Sequence, residues 1–432
     1  MSRLSQLWKV KDLRNRILFV ALLLIGTRIL ANIPIPGVEL ANLRNLLNSN
    51  QLFGLFNIFS GGGLQNFSVA MLGVGPYITA SIIMQLLTII VPKLGELAKE
   101  GGEAGRAKIN QYTRWLTVPL TVLQGYGTII LLTRTSGSDL ITEFSAFQWF
   151  VALLSITAGS MLLLWLGELI TEYKLGNGVS MIIFAGIVSQ LPPAIQQGYV
   201  NLTTSTGQLS STGVVTAVGF LAVAFLVIAA IVGITEAQRN IPVSYAKRVR
   251  GNKLYGGVST HLPLRVNQAG VIPIIFAISI LLFPGLIANF FSQSRTPQIA
   301  SFAASINDFF QNQTYYGIMY FLLVVAFTYF YTAIVFNPDE IADNIQKQGG
   351  FVPGLRPGRQ TAEFLYKVLN RITLVGALFL GLIAVLPYII QSFTKTSTLT
   401  LGGTGILIVV AVVIEIINQV KSQMIMRDYE NF

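Results

Sequence analysis

Residues 57–87, NIFSGGGLQNFSVAMLGVGPYITASIIMQLL, begin as a segment too short and Gly-rich to cross a bilayer and end as one long enough to do so. Gly61, Gly62 and Gly63 break the first part into a compact apolar turn. Residues 74–91 read as a spanning helix of about five turns at ~1.5 Å per residue. A short apolar element beside a full span predicts a re-entrant segment. An unpaired backbone group in lipid is costly, so irregular backbone at membrane depth is tolerated only where protein buries it or where it lines a wet cavity. The stretch therefore predicts that the chain encloses a pore.

Composition points the same way. The 432 residues are 53% hydrophobic and 11% charged, against about 25% charged in soluble domains, so the chain reads as a polytopic membrane protein. The absence of cysteine excludes disulfides, thiolate zinc sites, iron–sulfur clusters and Cys nucleophiles. The basic start (Arg3, Lys9, Lys11, Arg14, Arg16) before an apolar run resembles a signal peptide, but no small-x-small cleavage site precedes IPIPG. A retained first span is expected.

Ten apolar runs have spanning length: 17–33, 74–91, 114–133, 149–170, 179–195, 214–235, 266–290, 315–336, 368–390 and 404–420. With both termini placed in the cytoplasm, 24 Lys/Arg fall on the inner side, counting Arg114 and Arg371 in the first inner turn of their runs, 4 fall on the outer side, and Arg28 lies within a span. That asymmetry follows the positive-inside rule and accounts for most of the net charge of +11 without nucleic acid. Two inner loops exceed what topology needs. Loop 236–265 carries Arg239, Lys247, Arg248, Arg250 and Lys253 with Tyr245 and Tyr255 interleaved, and Gly251-Asn252 marks a turn at its tip. Loop 337–367 carries GGFVPGLRPGR, a Pro/Gly-stiffened turn displaying Arg356 and Arg359. A solvated loop drawn to lipid headgroups is one reading; a docking surface for a large acidic or RNA-bearing partner is the other, and length without disorder-like composition favours it.

The halves echo one another. Gly73-x-x-Pro76-x-Ile78-x-Ala80 returns as Gly270-x-x-Pro273-x-Ile275-x-Ala277, at the start of the second and seventh runs. Five runs separate them, as an inverted repeat requires. The expected architecture is all-α, with ten transmembrane helices in two inverted five-helix halves (1–195 and 214–432) joined by the outer loop 196–213, and a short re-entrant element.

Catalytic chemistry has no footing: there is no GxxxxGK[ST], HExxH or GxSxG, and no pair of acids deep in the spans. Arg28, Glu168 and Glu415 lie near span ends, where they can snorkel or pair, and His261 has no carboxylate or Cys neighbours. Neither an enzyme nor a metal or cofactor site is expected. Val74 with Ile78, and Val179 with Ile183, share helical faces at four-residue spacing. Spacing alone reads these as core or lipid-facing positions. A secondary transporter with inverted repeats is the alternative, but it lacks the ion-coupling residues at midplane that such proteins bury.

The blocks NIPIPG, NIFSGGGLQNFS, GVGPYITASIIMQLL, EGGEAGRAKINQYTR, WLGELITEYKLGNGVSMIIFAGI, STHLPLRVNQAGVIP, FNPDEIADNIQKQGGFVPGLRPG and RITLVGALFLGLIAVLP, spread over nearly the whole chain, resemble the SecY family of bacterial protein-conducting channels. The resemblance implies two halves opening like a clamshell about an hourglass pore. Unfolded polypeptide would cross it, or leave sideways into lipid. It implies a pore ring at Val74, Ile78, Val179, Ile183, Ile275 and Ile408, with valine at 74 and 179 where isoleucine is frequent. The plug it implies is Asn57, Ile58, Phe59, Ser60, Gly61, Gly62, Gly63, Leu64, Gln65 and Asn66. The lateral gate would carry Gln85, Gln124 and Asn267, the halves would hinge at 196–213, the plug would be a short helix, and the docking arginine would be Arg356; the charge of the two inner loops adds Arg248, Arg250, Lys253 and Arg359 to that docking surface. The implied partners are SecE, a SecG-like subunit, the SecA ATPase, the ribosome, signal-bearing polypeptides and membrane lipid, with no DNA; the implied location is the bacterial plasma membrane.

Overall fold

The computed structural model describes residues 11–36, 43, 57, 60–99, 101–135, 145–193, 195–196, 211–245, 248–250, 253–255, 259–291, 296–394 and 403–430. The expectations for Arg3, Lys9, Ile58, Phe59, Lys247, the Gly251-Asn252 turn and most of the 196–213 hinge lie outside these residues.

Helix α1 (Lys11–Leu30) comes first, and a run of turns over 60–74 leads into α2 (Gly75–Ile90). Pro76 in the first turn of α2 loses nothing by lacking an N–H, since the first amides of a helix have no intrahelical acceptor. α2 stops because Pro92 disfavours the helical region for the residue before it: Val91 is extended (φ −100°, ψ 108°), and the chain bends by 106° into α3 (Pro92–Lys99). Then come α4 (Gly102–Thr135), α5 (Ala146–Glu172) and α6 (Gly178–Ser189). Ser145 and Gln148 form a capping box that starts α5, and the Asn177 side chain accepts from Ser180 N to start α6.

The second half opens with α7 (Ser211–Glu236), followed by β1 (Gln238–Tyr245), β2 (Arg248–Arg250), β3 (Lys253–Tyr255) and β4 (Ser259–Arg265). It continues through α8 (Ile272–Phe291), α9 (Pro297–Gln311), α10 (Gln313–Val335), α11 (Pro338–Lys347), β5 (Gly350–Phe351), α12 (Arg359–Thr394) and α13 (Gly403–Glu430).

The all-α expectation needs correcting. Loop 236–265 is a β-ribbon: β1 pairs antiparallel with β4, from Gln238 opposite Arg265 to Ser244 opposite Ser259, and β5 of loop 337–367 adds to its other edge at Ser244 and Tyr245. Ile241 and Val243 alternate inward at period two and meet Leu264, Val352, Leu365 and Val368 in one apolar cluster. The two large loops are thus one folded unit. A second antiparallel pair joins β2 and β3, with Arg250 opposite Lys253.

Each of the ten apolar runs falls on a helix. Among the described residues six helices are long and apolar enough to cross a membrane, or seven if the bent α2–α3 pair is one span. α1 falls short because Lys11, Asp12, Arg14 and Arg16 occupy its first turns, and α6 because it has only 12 residues. α8 packs against α2 and α4, and α6 against α13, so helices from the two ends of the sequence interleave. The echo is also conformational. Gly73 (φ 57°) and Gly270 (φ 63°) both take the left-handed conformation that favours glycine, each two residues before a helix carrying proline at its second position.

Candidate functional site

The six aliphatics named as a pore ring come from α2, α6, α8 and α13 and lie in one apolar cluster. Ile183 and Ile408 are 1% exposed, Val74 2%, Ile275 5% and Ile78 7%, and Val179 packs against them half-buried. Ile78 N donates to Val74 O across 3.1 Å, which fixes those two on one helical face. The start of α2, together with α6, α8 and α13, therefore contributes branched side chains to that cluster, five of the six with almost no exposed surface. No side-chain donor or acceptor belongs to the six, so whatever displaces them breaks no specific bond.

On one side of this collar is a cavity of about 1400 Å³. Asp12 and Arg16 of α1, Lys174 and Asn177 before α6, Arg265 and Asn267 before α8, and Glu415 and Asn418 of α13 are among its lining. Val271, Ile272 and Ala411 bring the lining to within one turn of Ile275 and Ile408. Glu415 takes a backbone hydrogen bond from Asn177, and Gln423 Nε2 donates to Lys174 O across 2.6 Å, tying α13 to the α5–α6 connection. Glu168 pairs with Arg114 (Nε to Oε1, 2.6 Å), the interfacial pairing its position allowed.

The Gly-rich stretch lies near the collar, with Ala70 in the same cluster. The expected short helix needs correcting: between 57 and 66 only Asn57 is helical among the described residues, and 60–66 is a run of turns. Glycine is the reason. Gly61 and Gly62 have φ of 66° and 85°, which no continuing α-helix accepts. Side-chain bonds replace helical ones: Asn57 Nδ2 donates to Gln65 Oε1, Gln65 N to Asn57 Oδ1 and Leu64 N to Ser60 Oγ. Asn66 Nδ2 donates to Asn32 Oδ1. Leu64, Phe67, Met71 and Leu72 anchor the segment in a second cluster with Ile129, Leu132 and Ile156 of α4 and α5.

Arg28, singled out in the sequence only as a charge that could snorkel or pair, and Gly186 and Gln190, which the sequence did not single out, hold this turn from the side. Arg28 Nη1 donates to Gly61 O and to Ser189 Oγ, a Cβ on Gly186 would lie 2.8 Å from Gly61 Cα, and a Cβ on Gly62 would collide with Gln190 Nε2. No spacing in the sequence links residue 28 to residues 61 and 186–190.

The three gate amides are not hydrogen-bonded to one another. Gln124 Nε2 donates to Thr79 Oγ1 of α2 across 3.3 Å, and Gln85 Nε2 to Ser81 Oγ on its own helix. Gln85 Oε1 and Asn267 Oδ1 are buried without a partner.

At the docking loops, Gly354 (φ 84°) and Gly358 (φ 92°) bracket Leu355-Arg356-Pro357. Leu355 packs on the β-ribbon cluster and Thr361 Oγ1 donates to Arg356 O, leaving the Arg356 side chain exposed. Arg359 is exposed and pairs with Glu363. Arg248, Arg250 and Lys253 lie on the paired strands β2 and β3, and His261 is exposed on β4 opposite Pro242.

Among solved structures, the fold is shared with a protein-conducting channel (TM-score 0.64, 16% identity, covering 94% of this chain and 91% of that one). It is shared as well with Sec61 in the canine ribosome–channel complex from the endoplasmic reticulum (TM-score 0.62, 16% identity, the same coverage). The molecule is thus a multi-pass helical membrane protein with a channel fold. The SecY family model matches residues 68–417. The protein translocase subunit SecY of Streptomyces galbus is 44% identical, with 100% of this chain and 99% of that protein covered. The subunit of the same name from Mycobacterium tuberculosis strain H37Rv is 42% identical over 98% and 97%. This chain belongs to the SecY family of protein translocase subunits, which sets aside the solute-transporter alternative.

Proposed function

We propose that the chain is the central channel subunit of a Sec translocase, conducting unfolded polypeptides across the bacterial plasma membrane and releasing apolar segments sideways into lipid. The observation that carries the reading is that Val74, Ile78, Val179, Ile183, Ile275 and Ile408 belong to one buried apolar cluster bordering a wide cavity. A channel for chains of every sequence cannot offer fixed hydrogen bonds, because an unpaired polar group would trap or reject part of the cargo. An aliphatic collar dewets against ions when narrow and deforms around whatever threads it.

In this reading all ten helical runs span or re-enter the membrane, in halves 1–195 and 214–432 hinged at 196–213, with both termini cytoplasmic. The paired Gly73/Gly270 and Pro76/Pro273 geometry supports the repeat. The turn at 60–66 acts as the plug. The lateral gate opens where α8 meets α2 and α4, which is supported by the packing there and by the unpartnered amide oxygens of Gln85 and Asn267. The folded β-ribbon unit and the exposed Arg356 serve SecA and ribosome docking, with Arg248, Arg250, Lys253 and Arg359 contributing charge. SecE and a SecG-like subunit complete the assembly.

The test is resting ion conductance in planar bilayers. Ile78→Gly, Ile183→Glu, Ile275→Glu and Ile408→Gly are each expected to raise it, and unchanged conductance in all four would remove the collar from the seal.

A further inference from the structure

Helix α9 (Pro297–Gln311) was not foreseen from the sequence, and it is amphipathic. Ala303 and Phe310 are buried against the body of the protein, and α9 packs on α8 and α10. The neighbouring edge of the same apolar face is open: Ile299 is 45% exposed, Phe302 70% and Phe309 39%. Exposed Ala304 and Asp308 occupy the far side, and α9 has no Lys or Arg.

We infer that α9 is an interfacial helix whose Ile299–Phe302–Phe309 edge lies in the headgroup–acyl boundary of the bilayer, on the face opposite the basic loops. The open edge runs on into a flank that faces lipid. Phe309 stacks on Tyr315 of α10 with ring centroids 5.2 Å apart and 3° between planes. Tyr315, Ile318 and Leu322, all more than half exposed, continue the strip along α10 at helical spacing. A stacked aromatic pair where such a strip begins is what a membrane–water boundary favours, since the rings are apolar and the phenol stays wet. The junction fixes the placement. Asn312 is extended (φ −72°, ψ 111°), its N–H closes α9 onto Asp308 O, and its side chain caps α10 at Thr314 N and Tyr315 N. One residue thus ends one helix and starts the next, leaving no slack for α9 to swing. An edge without basic residues is held by apolar area rather than by anionic lipid.

This rests on the reading of α8 and α10 as spans, and the test separates the two. The chain has no cysteine, so the full channel complex with single nitroxide labels at Phe302→Cys, Phe309→Cys, Ala304→Cys or Ile318→Cys can be reconstituted in vesicles. Collision with oxygen and with a nickel chelate is then read by paramagnetic resonance. Positions 302 and 309 are expected to show an oxygen-to-nickel ratio several-fold above position 304 and below position 318. A ratio at 302 and 309 equal to that at 304 overturns the inference, because the edge is then in water. Low access to both reagents overturns it as well, because protein then covers the edge. Failure at 318 would overturn the span itself.

Discussion

Arg28 Nη1 donates to the carbonyl oxygen of Gly61 across 2.6 Å and to Ser189 Oγ across 3.0 Å, so a single guanidinium joins α1, the turn at 60–66 and α6. A hydrogen bond to a charged group contributes about 1.5–3 kcal/mol, which is roughly 10- to 100-fold in an equilibrium between a seated and an unseated turn. Arg28→Ala is expected to raise resting ion leak in planar bilayers by a factor in that range. Arg28→Lys, which keeps the charge but not the planar fork, should fall between it and the parent. Parent-like leak in both variants would dissolve the latch.

Gly186 tests the same seat from the opposite wall. A Cβ there would lie 2.8 Å from Gly61 Cα, closer than backbone tolerates, so Gly186→Ala must push the turn away from α6. Leak should rise with Arg28 still present. Because both changes act on one contact, the Arg28→Ala, Gly186→Ala double variant is expected to leak less than the product of the two single effects; a fully multiplicative result would mean that the two residues act independently.

Asn267 is 7% exposed, and its amide oxygen has no partner. A buried acceptor left unpaired costs about 1–3 kcal/mol, so Asn267→Leu should leave the protein as stable as the parent or more so, read as its thermal unfolding midpoint in detergent. The gain goes to the shut arrangement of α8 against α2 and α4. Export of preproteins with weakened signal sequences should therefore fall while strong signals pass unchanged. Equal export across such a panel would take Asn267 out of the gate.

Helices were legible in the sequence because apolar run length reports burial in lipid directly: every run from 17–33 to 404–420 falls on a helix. The ring positions share one cluster, but their own spacing could not have said so, since α2, α6, α8 and α13 come from distant parts of the sequence. The β-ribbon was present as alternation at Ile241, Val243, Leu262 and Leu264 and went unread beside the stronger charge pattern. The compact turn read from Gly61, Gly62 and Gly63 is what the structure holds at 60–66, whereas the short helix implied by the family resemblance fails there because Gly61 and Gly62 have positive φ. The Arg28 latch left no trace in the sequence because contacts across 33 and 161 residues have no local signature.

The GLRPG turn yields the last expectation. Leu355 is pinned to the β-ribbon cluster, Gly354 and Gly358 have φ of 84° and 92°, and Thr361 Oγ1 holds Arg356 O, so the exposed Arg356 side chain projects from a fixed backbone. Arg356→Glu reverses the charge at that point without touching the fold, and should reduce SecA-driven translocation or ribosome binding about tenfold or more, in line with charge reversal at a docking contact. Membrane insertion of the protein and resting conductance should not change. Gly354→Ala and Gly358→Ala keep the charge but force a left-handed residue, at about 1–2 kcal/mol each, and should weaken the same docking to a lesser degree. If Arg356→Glu docks normally while the glycine variants do not, the backbone of the turn is the recognised feature and the guanidinium is not.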